Sequence, residues 1–539
     1  MNVRWRWLAL GFVCLAAAVI AVSAPLASLV FTGGGCVSIL LGLLEVSEAQ
    51  DRRIPPLASA SWAEWREAAA LTTPGPFLLG LWPGSGRRLY LGEEQFSGHV
   101  LVLGPSRVGK TAGSIASNIL LRDPARESIV VMDVKTGPRA LWSVTAGRYG
   151  DRARLFCPLF EGSVSYNPLE DVHSIGAAQR KAGLLIHNTT PRDLSGDARV
   201  YAGAARDLAA LLFLHVQQDR AAGGHTVAAA YRLVLSGAAA IRETLRTSRI
   251  AEVREHCGMF AARERRVQEA AVTGLLERLS SWADPLVCDA TSAHWDLGQL
   301  GREPSALYIL LPEDEAQRLQ PLVAWLVADM LDGLTTQADH EGLRCPVRVY
   351  LDEFRRFGYL AGLSDRLPTL RERRISVVLG AQVLSQIEEV YGPRDARTIV
   401  ANAETKVIFR AGDLETARMI SAWLGSTCVS SVSVTSGARA GVTTTVRPHV
   451  RPLAAPEELG RLPERAVIVL TGAVRPLALR QARYFEMPDL TVSAPPFPLR
   501  WRVLPDLAGR SPAPASAEAR RARVPRRFPA PRPLGGVRP

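Results

Sequence analysis

The residues with the most chemical content stand at Gly104-Pro105-Ser106-Arg107-Val108-Gly109-Lys110-Thr111, a G-x-x-x-x-G-K-T run. Glycines at both ends let the backbone wrap closely around a phosphate. The N–H groups of a following helix point at it, Lys110 reaches the β and γ phosphates, and the Thr111 hydroxyl holds Mg²⁺. The implied ligand is ATP with Mg²⁺. Chance is a weak explanation, because the chain has lysine only at 110, 135, 181 and 406 and uses arginine for its other basic positions.

A phosphate loop that hydrolyses its ligand needs acids elsewhere. About 240 residues downstream, the apolar run Val347-Arg348-Val349-Tyr350-Leu351 ends in Asp352-Glu353. Asp352 is expected in the Mg²⁺ shell, and Glu353 to polarise the attacking water. The run from Ser128 to Met132 ends in Asp133-Val134-Lys135, at the strand edge where ligands of open α/β sheets bind; a surface ion pair is the alternative. Gln382 follows the β-branched run from Ile375 to Gly380 and fits a γ-phosphate sensor, or else a polar residue that starts a helix. Arg371-Glu372-Arg373-Arg374 lies between these acids and Gln382. It is either a source of an arginine finger for a neighbouring subunit or a solvated helix face.

These side chains converge only if strands carry them to one edge of a sheet. Val100 to Leu103 is a buried-strand run before the loop, and an Ala/Ile/Leu-rich helical stretch follows it. Further strands are expected at 306–311, 405–409 and 466–471. Alternation of strands with helices predicts an α/β P-loop NTPase with a mostly parallel sheet covered on both faces. After Tyr166-Asn167-Pro168-Leu169, strand signals stop for about 130 residues and helical periodicity takes over, at 198–217, 226–249 and 263–282. The nucleotide-binding domain is therefore expected in two parts, 51–170 and 301–490, with an all-α domain at 171–300 inserted between them.

From Trp7 to Leu44 no residue is charged, a run of 38. With Arg4 and Arg6 before it and Arg52 and Arg53 after it, both ends belong in the cytoplasm, so residues 1–50 are expected to form a transmembrane helical hairpin turning near Ala24-Pro25. A cleaved signal peptide and a single tilted span are the competing explanations. The seven cysteines include no C-x-x-C pair, which fits reduced thiols. The net charge of +12 proves little about nucleic acid, since residues 491–539 hold ten Arg against two acids and account for most of it. That Pro/Ala/Arg-rich end lacks the large apolar residues needed to order itself and is expected to be a disordered tail.

Together these residues resemble the TraG/TraD-type coupling proteins of type IV secretion. The specific part is Leu351-Asp352-Glu353-Phe354 with Gly358, followed by Gly380-Ala381-Gln382, Gln386 and Tyr391-Gly392. The resemblance implies a RecA-like motor domain, a homo-hexamer around a DNA channel, and an all-α domain that meets the relaxase or its DNA. By position Arg371 matches the family's trans-acting arginine. Arg374 stands where a small residue is usual, and Thr136 where a Gly often follows the Lys. The implied function is an ATPase of the bacterial inner membrane that recruits relaxase-bound, single-stranded DNA and drives it into a type IV secretion channel. A membrane receptor that uses nucleotide only as an assembly switch, and an FtsK-like DNA pump, are the alternatives. The unfolded character of the last fifty residues counts against the pump.

Overall fold

A computed structural model describes residues 59–190, 195–219, 224–437, 441–490 and 499–502. The expected membrane hairpin at 1–50 lies outside the described residues. No helix among those described is long and apolar enough to cross a membrane. Most of the expected tail also lies outside them. Its residues 499–502 lie against the loop after β5, where Trp501 packs on Phe160 at 4.6 Å and the Glu161 N–H donates to the Arg500 carbonyl.

Among the described residues there are thirteen strands: β1 (Phe77–Leu81), β2 (Arg88–Leu91), β3 (Val100–Leu103), β4 (Ser128–Asp133), β5 (Ala153–Phe156), β6 (Ala306–Leu310), β7 (Val347–Leu351), β8 (Ile375–Ala381), β9 (Thr405–Ile408), β10 (Ser426–Gly437), β11 (Gly441–Pro452), β12 (Ala466–Thr471) and β13 (Val474–Arg480). Eleven form one sheet in the order β2-β1-β13-β12-β9-β3-β8-β7-β4-β6-β5, while β10 and β11 pair as a separate hairpin. From β9 to β5 every pairing is parallel. Strands β3, β4, β6, β7 and β8 are buried along their whole length, as a parallel sheet covered on both faces requires. Each Val, Ile or Leu so buried stabilises the fold by about 1.5–3 kcal/mol.

The sheet departs from the expected parallel pattern on one side. β12 runs antiparallel to β9, and β13 runs antiparallel to β12 because the two-residue turn Gly472-Ala473 can join only antiparallel neighbours. β1 and β2 continue that antiparallel flank.

Among the described residues between β5 and β6 there is no strand, only helices, the longest being Ile175–Thr189, Asp197–Gln218 and Arg265–Arg278. Ser174 caps the first by accepting from the Ala177 N–H. The stretch expected as one helical run at 226–249 is two helices, Val227–Leu235 and Gly237–Arg246, because Gly237 adopts φ +83° and breaks the hydrogen-bond ladder.

This helical insertion docks on the long helix Ala316–His340 that follows β6. Lys181 bonds both carboxylate oxygens of Asp329 at 2.6 Å and pairs with Asp171 at 2.8 Å. The Tyr166 hydroxyl donates to the same Asp329 at 2.7 Å. Trp325 adds ring contacts to Phe213 and Trp282. Thus the third lysine and the tyrosine of the Tyr-Asn-Pro-Leu motif meet at Asp329, and this charge cluster ties the insertion to the helix after β6.

Removing Asp329 leaves the buried Lys181 ammonium with only the exposed Asp171 carboxylate and the Tyr166 hydroxyl without its acceptor, at a cost that approaches that of breaking a buried pair, about 3–5 kcal/mol. Asp329→Ala is expected to lower the urea and thermal midpoints markedly. Replacing both charges together, Lys181→Met with Asp329→Leu, is expected to cost less than Asp329→Ala alone.

Candidate functional site

The loop leaves the carboxyl end of β3, where the Gly104 N–H donates to the Ala381 carbonyl at the end of β8. Two positions need special backbone. Arg107 adopts φ +67° and Gly109 φ +103°, and a Cβ on Gly109 would lie 2.6 Å from the Gln481 side-chain oxygen. The turn therefore admits only glycine at 109. Lys110 is buried, with its ammonium donating to the carbonyls of Gly104 (2.6 Å) and Pro105 (3.1 Å) and standing 3.8 Å from Glu353. Burial pushes this ammonium below its ordinary range, and Glu353 and Asp352 oppose that shift.

Across the sheet, β7 delivers Asp352 to the same place. Thr111 Oγ1 donates to Asp352 Oδ2 at 2.7 Å, and Lys135 Nζ reaches Thr111 Oγ1 (3.2 Å) and Asp352 Oδ2 (3.1 Å). Asp352 is fully buried and its other oxygen, Oδ1, has no hydrogen-bond partner. A buried carboxylate oxygen left unpaired beside a threonine hydroxyl fits a Mg²⁺ ion that takes the rest of its shell from phosphate and water. Glu353 adopts the left-handed conformation (φ +55°, ψ +53°), which turns the chain sharply after β7. A non-glycine residue persists there only where its surroundings hold it. Gln382 Nε2 is one such hold, donating to Glu353 Oε2 at 2.8 Å.

The loop, Thr111, Lys135, Asp352, Glu353 and Gln382 therefore come together. Asp133 stands one step back. It is fully buried, and its oxygens accept from the backbone N–H groups of Lys135 (3.1 Å) and Leu141 (2.8 Å), so it shapes the segment that carries Lys135 and does not itself face the cleft. Arg371 is not brought to the site within one chain. It precedes β8, at the opposite edge of the sheet from the loop, and pairs with Glu404 just before β9. Arg373 pairs with Asp339, and Arg374 takes φ +60° and donates to the Leu343 carbonyl.

A second support for the loop has no signature in the sequence. Gln481, just past β13, donates to the Val108 carbonyl at 3.0 Å, and Ser117 Oγ donates to the Ala482 carbonyl at 2.6 Å. These partners are separated by more than 360 residues in the chain, and an isolated Gln at a strand end carries no pattern.

Burial, and then the neighbouring Asp352 carboxylate, push the Asp133 acid up to about 6 from its ordinary 3.8. A raised carboxyl favours the fold while protonated, so its contribution is complete below about pH 4 and is lost as pH rises through about 6. In thermal unfolding, the advantage of the native chain over Asp133→Asn is expected to be largest near pH 4 and to shrink by pH 7. A difference that is constant or grows with pH would contradict the assignment.

The family model described as type IV secretory system conjugative DNA transfer matches residues 57–499. The protein VirD4 of Rhizobium rhizogenes is 25% identical over 412 residues, covering 74% of this chain and 60% of that protein. The conjugal transfer protein TraG of Escherichia coli is 26% identical over 434 residues, covering 73% of this chain and 66% of that protein. The chain thus matches less than two thirds of the length of these relatives. Among solved structures, the bacterial conjugative coupling protein TrwBdeltaN70 in its unbound form is similar with a TM-score of 0.62 at 19% identity, covering 78% of this chain and 92% of that one. The plasmid coupling protein TrwB in complex with ADP and Mg²⁺ is similar with a TM-score of 0.60 at 19% identity, covering 79% and 93%. The fold is shared with these structures, a RecA-like α/β P-loop fold. With four fifths of its length matched by the family model, the chain belongs to the type IV secretory system conjugative DNA transfer family.

Proposed function

We propose that this chain is the coupling ATPase of a conjugative transfer system. Anchored in the bacterial inner membrane by a multi-pass segment within residues 1–50, it recruits relaxase-bound single-stranded DNA and drives it into a type IV secretion channel as a homo-hexamer. The single observation that carries the ATPase reading is the 2.7 Å contact between Thr111 and Asp352, with Glu353 adjacent to Lys110. It joins a phosphate loop to the pair of acids that hydrolysis needs. Family membership supports the transfer role, and TrwB's complexes with ADP and Mg²⁺ and with a non-hydrolysable ATP analogue support the choice of nucleotide.

In this reading the Lys110 ammonium exchanges the Gly104 and Pro105 carbonyls for the β and γ phosphate oxygens of ATP. Thr111 and Asp352 would hold Mg²⁺, which supplies charge neutralisation at the phosphates. The Glu353 carboxylate, oriented by Gln382, accepts the proton of the attacking water. Gln382 then reports the state of the γ phosphate to the segment after β8. Arg371, remote from its own chain's loop, acts on a neighbour's nucleotide as the trans finger.

Lys110→Ala is expected to abolish both turnover and DNA transfer. Glu353→Gln is expected to keep ATP binding while lowering DNA-stimulated hydrolysis by about a hundredfold or more. Nucleotide binding by the unaltered protein with no hydrolysis in the presence of single-stranded DNA would favour the receptor that uses nucleotide as an assembly switch. Arg371→Ala is also expected to lose turnover. Mixed with Lys110→Ala subunits it should regain part of it, because one intact loop then faces one intact finger; no recovery in the mixture would remove Arg371 from that role.

A further inference from the structure

The cleft at the phosphate loop is larger than phosphates require. It has a volume of about 510 Å³ and continues from Thr111 past Ala112 and Ala116 to a wall made by Leu141, Val144, Tyr484 and Phe485. Phosphate oxygens gain nothing from aliphatic and aromatic walls. A flat, largely apolar group does.

Phe485 is one of the few large hydrophobic side chains left exposed among the described residues, at 55%. Tyr484 stands edge-on to it, with ring centroids 5.3 Å apart and planes at 83°. Tyr484 is itself half-buried against the small apolar cluster that includes Leu78, Tyr90 and Leu120. An edge-on neighbour leaves the outer ring's face free. The short turn Tyr484–Glu486 that carries both rings is also held at a set place relative to the loop. Gln481 bonds the Val108 carbonyl and packs on Gly109, Ser117 bonds the Ala482 carbonyl, and Arg483 bonds both Gln481 and Glu464. These tethers hold in water a phenyl ring that contributes little burial to folding.

We propose that Phe485 is the stacking platform for the base of the bound nucleotide, with Tyr484 as its edge-on buttress and the two alanines leaving room for the ribose and base. This deepens the nucleotide-binding reading above and rests on it. The phosphate end of the ligand is read by the loop, Thr111 and Lys110. The base end is read by its face through a ring that the last strand of the sheet brings in from 374 residues beyond Thr111. A nucleotide bridging the two ends would tie the loop to β13 by a second route, beside the Gln481 and Ser117 bonds.

The test separates the two ends of the ligand by titrating the full chain, in detergent, with Mg²⁺-ATP and with Mg²⁺-tripolyphosphate, which has no base. Alanine substitution at a base-stacking aromatic typically costs about 1–3 kcal/mol, and 1.4 kcal/mol is tenfold in affinity. Phe485→Ala is therefore expected to weaken ATP binding about tenfold while leaving tripolyphosphate within about twofold, and Phe485→Trp to restore or strengthen ATP binding. Equal weakening of both ligands, or an unchanged ATP affinity with or without a loss of subunit assembly, overturns the platform while the loop's role stands. Unaltered protein that binds neither ligand overturns the nucleotide reading and the platform together.

Discussion

The contact between Thr111 and Asp352 is the constraint to which the rest of the fold answers. Their strands, β3 and β7, are not neighbours, because β8 lies between them. At about 4.8 Å per strand spacing the gap is about 10 Å, so the two chain ends must lean toward each other over the end of β8. Register makes this possible, since Leu351 aligns with Leu379 and Leu103 with Ala381, so that β7 ends below the level of β3. Gly380 lies between those two levels. A Cβ there would be 3.1 Å from the Leu351 carbonyl, 3.3 Å from the Ile115 side chain and 3.4 Å from Asp352 Oδ1. Glycine at 380 is thus what lets the helix after the loop and the buried acid close over β8. Burying Asp352 completely carries a desolvation penalty of several kcal/mol, which Lys135 and Thr111 offset.

The same constraint gives physical content to the Phe, Gly and Tyr positions that accompany the acids. Phe354, immediately after Glu353, stacks on Tyr391 at 5.2 Å and 17°. The Leu360 N–H donates to the Tyr391 hydroxyl at 3.1 Å, and the Ala361 N–H donates to Asn188 Oδ1 at 2.7 Å. Asn188 belongs to the first helix of the insertion and also donates to the Ala324 carbonyl of the long helix. At Gly358, φ is +69° and a Cβ would meet the Gln320 side chain at 2.4 Å, so the chain passes that helix where only glycine fits. The acid that faces the loop is therefore joined through packed side chains and hydrogen bonds to the helical insertion. A change at Glu353 has a continuous solid path to the helical insertion.

What was legible in the sequence was local. The glycine, lysine and threonine of the loop sit within eight residues, and Asp352 and Gln382 each follow an apolar run of a few β-branched residues. Such runs suffice because a strand buried on both faces needs no partner to declare its hydrophobicity. β7 shows where that logic thins, since Arg348 lies within the run and is nevertheless buried. Its guanidinium bonds Ser376 Oγ, pairs with Glu93 and Glu127, and lies 5.0 Å from the centre of the Phe96 ring. None of those partners is near it in sequence. Lys181 carries no pattern in the sequence, because its partner Asp329 is nearly 150 residues away. Position in the chain marks the 371–374 cluster and only the resemblance picks Arg371 within it, and one chain's geometry leaves Arg371 facing away from its own loop.

The antiparallel flank was the least legible part, and its geometry follows from the site. Ending the sheet at β9 would leave an open edge, and covering strands prevent adventitious pairing there. A single antiparallel strand would suffice for that purpose, but it would finish at the edge of the sheet away from the loop. β12 reverses direction relative to β9, and β13 reverses again through Gly472-Ala473, so β13 runs parallel to β9 and β3. Its carboxyl end consequently emerges beside the carboxyl ends of β3, β8 and β7. Two reversals are the fewest that bring a chain end back to the phosphate loop from that side, and Gln481 through Phe485 are what that end carries. The strands that look like simple edge protection are the ones that place the loop's second support and its aromatic wall.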